Sequence, residues 1–155
     1  MRIGHGFDAH AFTEGRRLVL GGVEVAHDRG LAGHSDADVL VHAVIDAMLG
    51  AAALGDIGGM FPASDARWED ASSIGLLRMV DERVRAEGHV VGNIDATIVA
   101  EAPKLAQLIP SMRANIAGAL LIDVRFVSVK ATTTDGLGFA GHGEGIAAFA
   151  VVLLE

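Results

Sequence analysis

The sequence has no cysteine and no tyrosine among its 155 residues, and only 5% of its residues are aromatic. Disulfide bonds, thiolate metal sites and cysteine nucleophiles are therefore excluded, and any metal ion has to be held by His, Asp or Glu. With so few aromatic residues, the interior has to be built from Ala, Val, Leu and Ile. The seven histidines become the residues of most interest.

Basic residues are also scarce, with 12 Lys and Arg against 20 Asp and Glu, which gives a formal net charge of −8. This charge argues against sequence-independent binding to nucleic acid or to an anionic membrane, because both require a basic patch. The amino-terminal residues have no apolar signal core, and the longest apolar stretch, Ile146 to Leu154, is about half of a membrane span. We expect a soluble, cytoplasmic protein.

Hydrophobic residues make up 51% of the chain, and no linker, low-complexity tract or internal repeat interrupts it. We therefore expect one domain covering residues 1–155. Apolar periodicity predicts strands at 3–11, 17–20, 23–26, 90–100, 124–131 and 145–154, and helices at 36–53, 72–87 and 110–121. Ser35 is the expected cap of the first helix and Gly55 its expected end. This order predicts an α+β fold, a mixed β-sheet with helices packed on one face.

The first predicted helix is apolar on nearly every side, yet Asp38, His42 and Asp46 recur at every fourth position and share one face. Burying these groups without partners would be costly, so the stripe has to meet a cation, a charge network or a solvent-filled cleft. A satisfied structural network and a functional site are both compatible with this pattern.

Asp8 and His10, two residues apart on the first predicted strand, project to the same side. A third ligand from a helix would complete three protein ligands with one open position, the arrangement of catalytic zinc, and His42 is the candidate. Taken alone, the pair is also explained by an exposed surface histidine and an aspartate at the end of a strand.

Two loops, 55–59 and 130–136, combine Gly or Thr residues with one carboxylate each, which suits a phosphate and its magnesium ion. Ordinary turns are the alternative. No Walker loop, complete dinucleotide fingerprint, His-Glu-x-x-His helix or Gly-x-Ser-x-Gly elbow occurs, so those ATPase, dinucleotide-binding, protease and esterase classes are disfavoured.

Several blocks together resemble the 2-C-methyl-D-erythritol 2,4-cyclodiphosphate synthase family. They follow the family's order over the whole chain without a large insertion, and they comprise 2–8, 34–39 with His42, 49–50, 55–58, 61–62, 102–104, 130–133 and 138–139. The resemblance implies a phosphorus–oxygen lyase that cyclises 4-diphosphocytidyl-2-C-methyl-D-erythritol 2-phosphate to the 2,4-cyclodiphosphate and releases CMP, in the non-mevalonate route to isoprenoid precursors. It also implies a homotrimer around a central cavity, with active sites between neighbouring subunits.

The resemblance also implies roles for individual residues. Asp8, His10 and His42 match the zinc ligands, Asp135 matches the carboxylate for a second divalent ion, Mg²⁺ or Mn²⁺, and His34 and Thr133 match the catalytic positions that contact the phosphates. The matching substrate-binding positions are Ser35, Asp56, Ile57, Gly58, Phe61, Pro62, Ala63, Ser64, Asp65, Phe139 and His142. The matching nucleotide-binding positions are Ala100, Glu101, Ala102, Pro103, Lys104, Leu105, Ala106, Ala131 and Thr132. Asp46 is either an acceptor for the second ring N–H of His42 or a capping or surface residue.

Two positions depart from the family pattern. Asp135 stands where the family usually has Glu, which keeps the charge but shortens the side chain by one methylene. His142 stands where many relatives have Arg, in the segment that lines the trimer's central cavity, and a neutral imidazole binds anions more weakly than a guanidinium. An isoprenoid diphosphate in that cavity is a further partner raised by the resemblance. A zinc hydrolase that cuts a diphosphate and a non-catalytic trimeric binder are the alternative functions.

Overall fold

The computed structural model describes residues 1–155 and has a five-stranded sheet at its centre. The strands are β1 Arg2–Thr13, β2 Leu18–Leu20, β3 Val23–Val25, β4 Gly30–Leu31, β5 Val91–Val99, β6 Val127–Thr132 and β7 Gly145–Leu154. The sheet order is β4-β1-β7-β5-β6, and β2 with β3 forms a separate hairpin. Because β5 and β6 are parallel and the other pairs antiparallel, the sheet is mixed, as predicted.

Five helices connect or flank these strands: α1 Val39–Ala52, α2 Ile57–Met60, α3 Ser73–Ala86, α4 Ile109–Leu120 and α5 Gly138–Gly141. α1 packs on β1 and β7, α4 packs on β6, and α3 contacts both of these helices. The predicted α+β class is therefore confirmed. No helix has both the length and the apolar character that crossing a membrane requires.

The boundaries of α1 differ from the prediction. The helix begins at Val39, and its cap is Asp38 rather than Ser35, because the Asp38 carboxylate accepts a hydrogen bond from the backbone N–H of Val41 at 3.1 Å. It ends at Ala53, which adopts a left-handed conformation with φ of 59°, two residues before Gly55. The strand predicted from residue 124 begins at Val127, since residues Val124–Phe126 form a short 3₁₀ turn.

Two glycines of β1 allow α1 to lie directly on the strand. A Cβ atom at Gly4 would lie 1.9 Å from the carbonyl oxygen of Ala47, and one at Gly6 would lie 1.9 Å from that of Ala43. Any side chain at either position would push the helix off the sheet. With α1 this close to β1, the side chain of His42 on the helix reaches Asp8 on the strand.

The opposite face of β1 and β7 carries exposed apolar side chains. Phe7 is 47% exposed and pairs with Phe149, 42% exposed, at a ring-centroid distance of 4.9 Å. Ile3 and Val151 are exposed on the same two strands. An open apolar sheet face of this kind is typical of a surface that another protein molecule covers.

Candidate active site

Asp8, His10 and His42 meet where α1 crosses β1. The Asp8 Oδ2 atom lies 2.8 Å from His10 Nε2 and 3.0 Å from His42 Nδ1. One ligand atom from each residue falls within 4.8 Å of the other two. The structure therefore brings together the three side chains that the sequence nominated as metal ligands.

The orientation of His10 is fixed by the backbone. Its Nδ1 atom lies 2.5 Å from the carbonyl oxygen of Ala32, which can only accept a hydrogen bond. Nδ1 is therefore the protonated nitrogen of the neutral ring, and the lone pair of Nε2 points to Asp8. A ring held in this way is ready to bind a cation through Nε2.

His42 is held by serine hydroxyls and not by Asp46. Its Nε2 atom lies 2.8 Å from Ser73 Oγ and 3.1 Å from Ser35 Oγ, while Nδ1 faces Asp8. The hypothesis that Asp46 accepts the second ring N–H is wrong, because the Asp46 carboxylate instead accepts the backbone N–H of Ile57 at 2.8 Å. Of the three polar positions of the α1 stripe, only His42 belongs to the cluster around Asp8.

The charges of the cluster are strongly coupled. Burial alone would raise the pKa of Asp8, but hydrogen bonds and charge interactions with His10 and His42 outweigh it and hold that pKa well below its ordinary value. The hydrogen bond to Asp8 raises the pKa of His10. When both rings are neutral, a carboxylate oxygen and one nitrogen from each imidazole lie close enough together to bind a single ion. This donor set of one oxygen and two nitrogens fits a divalent ion of the zinc type.

A cavity of about 260 Å³ opens beside the cluster. It is lined by Asp8, His10, His34, Ser35, His42, Ile57, Gly58, Phe61, Ala63, Trp68 and Leu76. Nine of these were candidates from the sequence, whereas Trp68 and Leu76 were not. Trp68, the chain's only tryptophan, packs edge-on against Phe61 at 5.0 Å. The presence of a single tryptophan in the sequence could have marked Trp68 as a candidate. Leu76 could not have been found in this way, because in the sequence it looks like any other buried leucine.

Other candidate residues near this cavity form hydrogen bonds that hold the surrounding loops in place. Asp56 caps α2 by accepting the backbone N–H of Gly59 at 2.7 Å. Asp65 pairs with Arg67, and its carbonyl oxygen lies 3.2 Å from His34 Nε2. Asp56, Pro62, Ser64 and Asp65 do not line the cavity itself.

The nucleotide and phosphate candidates form a second cluster at the end of β5 and β6. These parallel strands place Val99 beside Thr132, and the backbone N–H of Ala100 donates to the Thr132 carbonyl at 3.0 Å. Glu101 Oε1 accepts the backbone N–H groups of Thr134 at 2.9 Å and Gly136 at 3.3 Å, and these bonds lower the pKa of Glu101. The Glu101 side chain thus holds the loop that carries Thr133 and Asp135.

The two clusters lie apart in one chain. β1 and β6 are separated by β7 and β5, three strand spacings or roughly 14 Å. Neither Thr133 nor Asp135 lines the cavity at Asp8. Phe139 lines a different cavity, of about 220 Å³, together with His10 and Glu144. His142 is exposed, with Nδ1 at 3.7 Å from Glu144 Oε1.

Comparison with known proteins gives consistent matches over the whole chain. The model of the YgbB family matches residues 1–155. The 2-C-methyl-D-erythritol 2,4-cyclodiphosphate synthase of Geobacter metallireducens is 61% identical over 155 residues, which cover 100% of this chain and 99% of the relative.

Two solved structures are similar as well. The bifunctional IspDF of Campylobacter jejuni superposes with a TM-score of 0.95 at 45% identity, covering 99% of this chain and 42% of that longer one. The IspF of Plasmodium falciparum, solved as a complex with CDP, superposes with a TM-score of 0.86 at 33% identity, covering 99% of this chain and 94% of that one.

Proposed function

The chain belongs to the YgbB family of 2-C-methyl-D-erythritol 2,4-cyclodiphosphate synthases, and on that premise we propose how its side chains carry out the reaction. The enzyme is a phosphorus–oxygen lyase of isoprenoid biosynthesis. An oxygen of the substrate's 2-phosphate bonds to the β-phosphorus, the bond from that phosphorus to the bridging oxygen breaks, and CMP leaves with the bridging oxygen. Because the nucleophile is part of the substrate, the protein has to align the two phosphates and neutralise their charge.

We propose that Asp8, His10 and His42 hold a zinc ion. The observation that carries this assignment is the convergence of Asp8 Oδ2, His10 Nε2 and His42 Nδ1, with the other nitrogen of each ring engaged elsewhere. Such an ion, when bound, would polarise the diphosphate and offset its negative charge. It also explains how a protein with a net charge of −8 can hold a polyanion.

The cavity beside the cluster suits the methylerythritol part of the substrate. Ile57, Phe61 and Ala63 give it an apolar wall, and Ser35 and His34 contribute polar groups. We assign His34 to the phosphate that lies nearest this wall. Asp56 and the loop 61–65 frame the opening, since Asp56 fixes α2 and the Asp65 carbonyl contacts His34.

The second cluster suits the cytidine and the diphosphate. We assign residues 100–106 with Ala131 and Thr132 to the base and ribose, where backbone groups do most of the binding. Thr133 is assigned to the phosphates and Asp135 to a second ion, Mg²⁺ or Mn²⁺. These assignments are supported by the proximity of the two segments. Glu101, in the first segment, accepts hydrogen bonds from Thr134 and Gly136 in the loop that follows β6.

A homotrimer would bring the two clusters together. One chain separates them by roughly 14 Å across its sheet, and the apolar face formed by Ile3, Phe7, Phe149 and Val151 is open for a second copy. We therefore propose active sites between neighbouring subunits, with residues 1–155 as one domain of each. The exposed Phe139 and His142 would lie toward a central cavity, where an isoprenoid diphosphate is a candidate ligand. The use of a cytidine nucleotide favours the cytoplasm as the location.

Phosphorus NMR of the products tests this function. Incubation with the cytidine substrate and Zn²⁺ plus Mg²⁺ should give a cyclic diphosphate and CMP in equal amounts, and chelator-treated enzyme should give neither. A linear phosphate product with CMP would show a hydrolase instead. Binding of the substrate without any turnover would show a binding protein.

A further inference from the structure

Behind the metal cluster, on the side of His42 away from Asp8, lies a buried serine. Ser73 is the first residue of α3 and is fully buried. Its Oγ atom lies 2.8 Å from His42 Nε2, and its hydroxyl also donates to Asp36 Oδ1. Ser73, His42 and the half-buried Asp36 therefore form a continuous chain of hydrogen bonds that ends at the metal cluster.

The direction of these bonds follows from the chemistry of the groups. A carboxylate can only accept, so the single hydroxyl proton of Ser73 is given to Asp36. Ser73 Oγ then has only lone pairs left for His42, and Nε2 has to be the nitrogen that carries the proton. The lone pair of the neutral ring consequently lies on Nδ1, the nitrogen that faces Asp8.

Asp36 is itself held firmly in place. Its second oxygen, Oδ2, accepts the backbone N–H of Ser73 at 2.9 Å, and Oδ1 also accepts that of Asp38 at 3.2 Å. Ser72, which occupies the cap position of α3, forms no capping hydrogen bond with its side chain. Asp36 therefore accepts the hydrogen bond at the start of α3 that Ser72 does not. These bonds restrict the position of the Asp36 carboxylate.

We propose that Asp36 and Ser73 are positioning residues that hold His42 with its proton on Nε2 and its lone pair aimed at the metal site. Ser35 Oγ, at 3.1 Å from Nε2, is a second and longer contact, and it also accepts the backbone N–H of Ala37 at 3.3 Å. The inference rests on the metal centre of the proposed function. It goes beyond that function by naming the two residues that determine which nitrogen of His42 can bind the metal ion.

The first test uses the metal-free protein and nitrogen-15 NMR of its histidines at about pH 9, above the ordinary pKa of histidine. In the wild type, the His42 ring should be protonated mainly at Nε2. Asp36→Asn keeps the volume but cannot accept both the hydroxyl and the backbone N–H of Ser73, so it should raise the fraction protonated at Nδ1. The same His42 populations in wild type and Asp36→Asn would overturn the proposal.

The second test measures zinc affinity by competition with a chelator. Ser73→Ala and Asp36→Asn should each weaken binding about 10- to 100-fold, the usual effect of losing an outer partner of a metal-bound histidine. Ser72→Ala is the matched control and should bind like the wild type. If Ser73→Ala does not fold, Asp36→Asn decides alone. Wild-type affinity in the folded variants overturns the positioning role, whereas a wild type that binds no zinc overturns the metal centre itself.

Discussion

The Asp46 carboxylate accepts a hydrogen bond from the backbone N–H of Ile57 at 2.8 Å. Asp46 lies one helical turn after His42 on α1, so a single helix fixes both a candidate metal ligand and the start of α2. Ile57 in turn lines the cavity beside Asp8, His10 and His42. The cavity wall at Ile57 is thereby tied to the cluster of Asp8, His10 and His42 through α1.

Replacing Asp46 with Ala should loosen α2 and weaken substrate binding. Loss of this hydrogen bond costs about 1–2 kcal/mol, which corresponds to roughly a 5- to 30-fold rise in KM. Amide exchange at residues 57–60 should become faster in the same variant. Asp46→Asn is the control, because it keeps an acceptor oxygen for Ile57 and should stay near the wild type. Unchanged exchange in Asp46→Ala would show that α2 does not depend on this bond.

We expect Glu101 to affect activity because it holds the loop that carries Thr133 and Asp135. One of its oxygens, Oε1, accepts bonds from Thr134 and Gly136, and a glutamine offers an equivalent carbonyl oxygen. Glu101→Gln should therefore stay within a few-fold of wild-type kcat/KM. Glu101→Ala releases the loop that carries Thr133 and should lower kcat/KM about 10- to 100-fold if Thr133 contacts the phosphates as proposed. Equal losses in both variants, measured by the release of CMP, would point to a role for the charge instead.

The sequence predicted that Asp8, His10 and His42 lie together, as candidate metal ligands, from patterns that are local to one strand and one helix. Asp8 and His10 share a face of one strand, and His42 lies on the polar stripe of the helix that follows. The ring partners of His42 were not predictable in this way. Asp46, one turn away, was a plausible partner on spacing alone, whereas Ser73 is separated by 31 residues and becomes a neighbour only because α3 packs on α1.

The role of the glycines of β1 was likewise not predictable from the sequence. There, Gly4 and Gly6 form only part of a dinucleotide-binding pattern, and nothing indicates that they contact a helix. In the fold, a carbonyl oxygen of α1 packs closely against each of them. The order of the strands in the sheet could not be predicted from local sequence patterns either. This order places Asp135 and Asp8 on separate parts of the sheet.

Asp135→Glu tests the proposed second ion. Asp135 is exposed and adopts φ of 53°, a conformation that Asp tolerates better than most side chains. The longer Glu should preserve or improve activity with magnesium if the carboxylate reaches the ion, at a stability cost below about 1 kcal/mol. Asp135→Asn removes the charge and should raise the magnesium concentration needed for half-maximal rate. Complete loss of activity in Asp135→Glu would mean that the loop is built around the shorter side chain.

The buried Asp38 should make stability depend on pH. Burial raises the pKa of Asp38 to about 6, although Gly22, Gly21 and Val41 donate backbone hydrogen bonds to its carboxylate. A raised pKa in the folded state means that the contribution of Asp38 is fully present below its ordinary pKa of 3.8 and is lost as the pH rises through about 6.

Chemical denaturation of the wild type and Asp38→Asn between about pH 4 and pH 7 measures this effect. The free energy of unfolding of the wild type relative to Asp38→Asn should fall by about 2 kcal/mol over that range. Asp123→Asn, which replaces an exposed carboxylate that caps the Val124–Phe126 turn, is the control. A constant difference between wild type and Asp38→Asn would show that the three backbone donors hold Asp38 charged throughout.

Replacing His42 with Ala should remove the metal ion and abolish turnover while leaving the fold largely intact. His42 is the only one of the three ligands that α1 contributes, and without its Nδ1 the ion keeps two protein ligands, too few for stable zinc binding. Metal analysis after dialysis and phosphorus NMR of the products measure the two effects, and circular dichroism checks the fold. His89→Ala, at a histidine beyond the end of α3, should retain both metal and activity. Zinc retained together with full activity in His42→Ala would remove this cluster from the reaction.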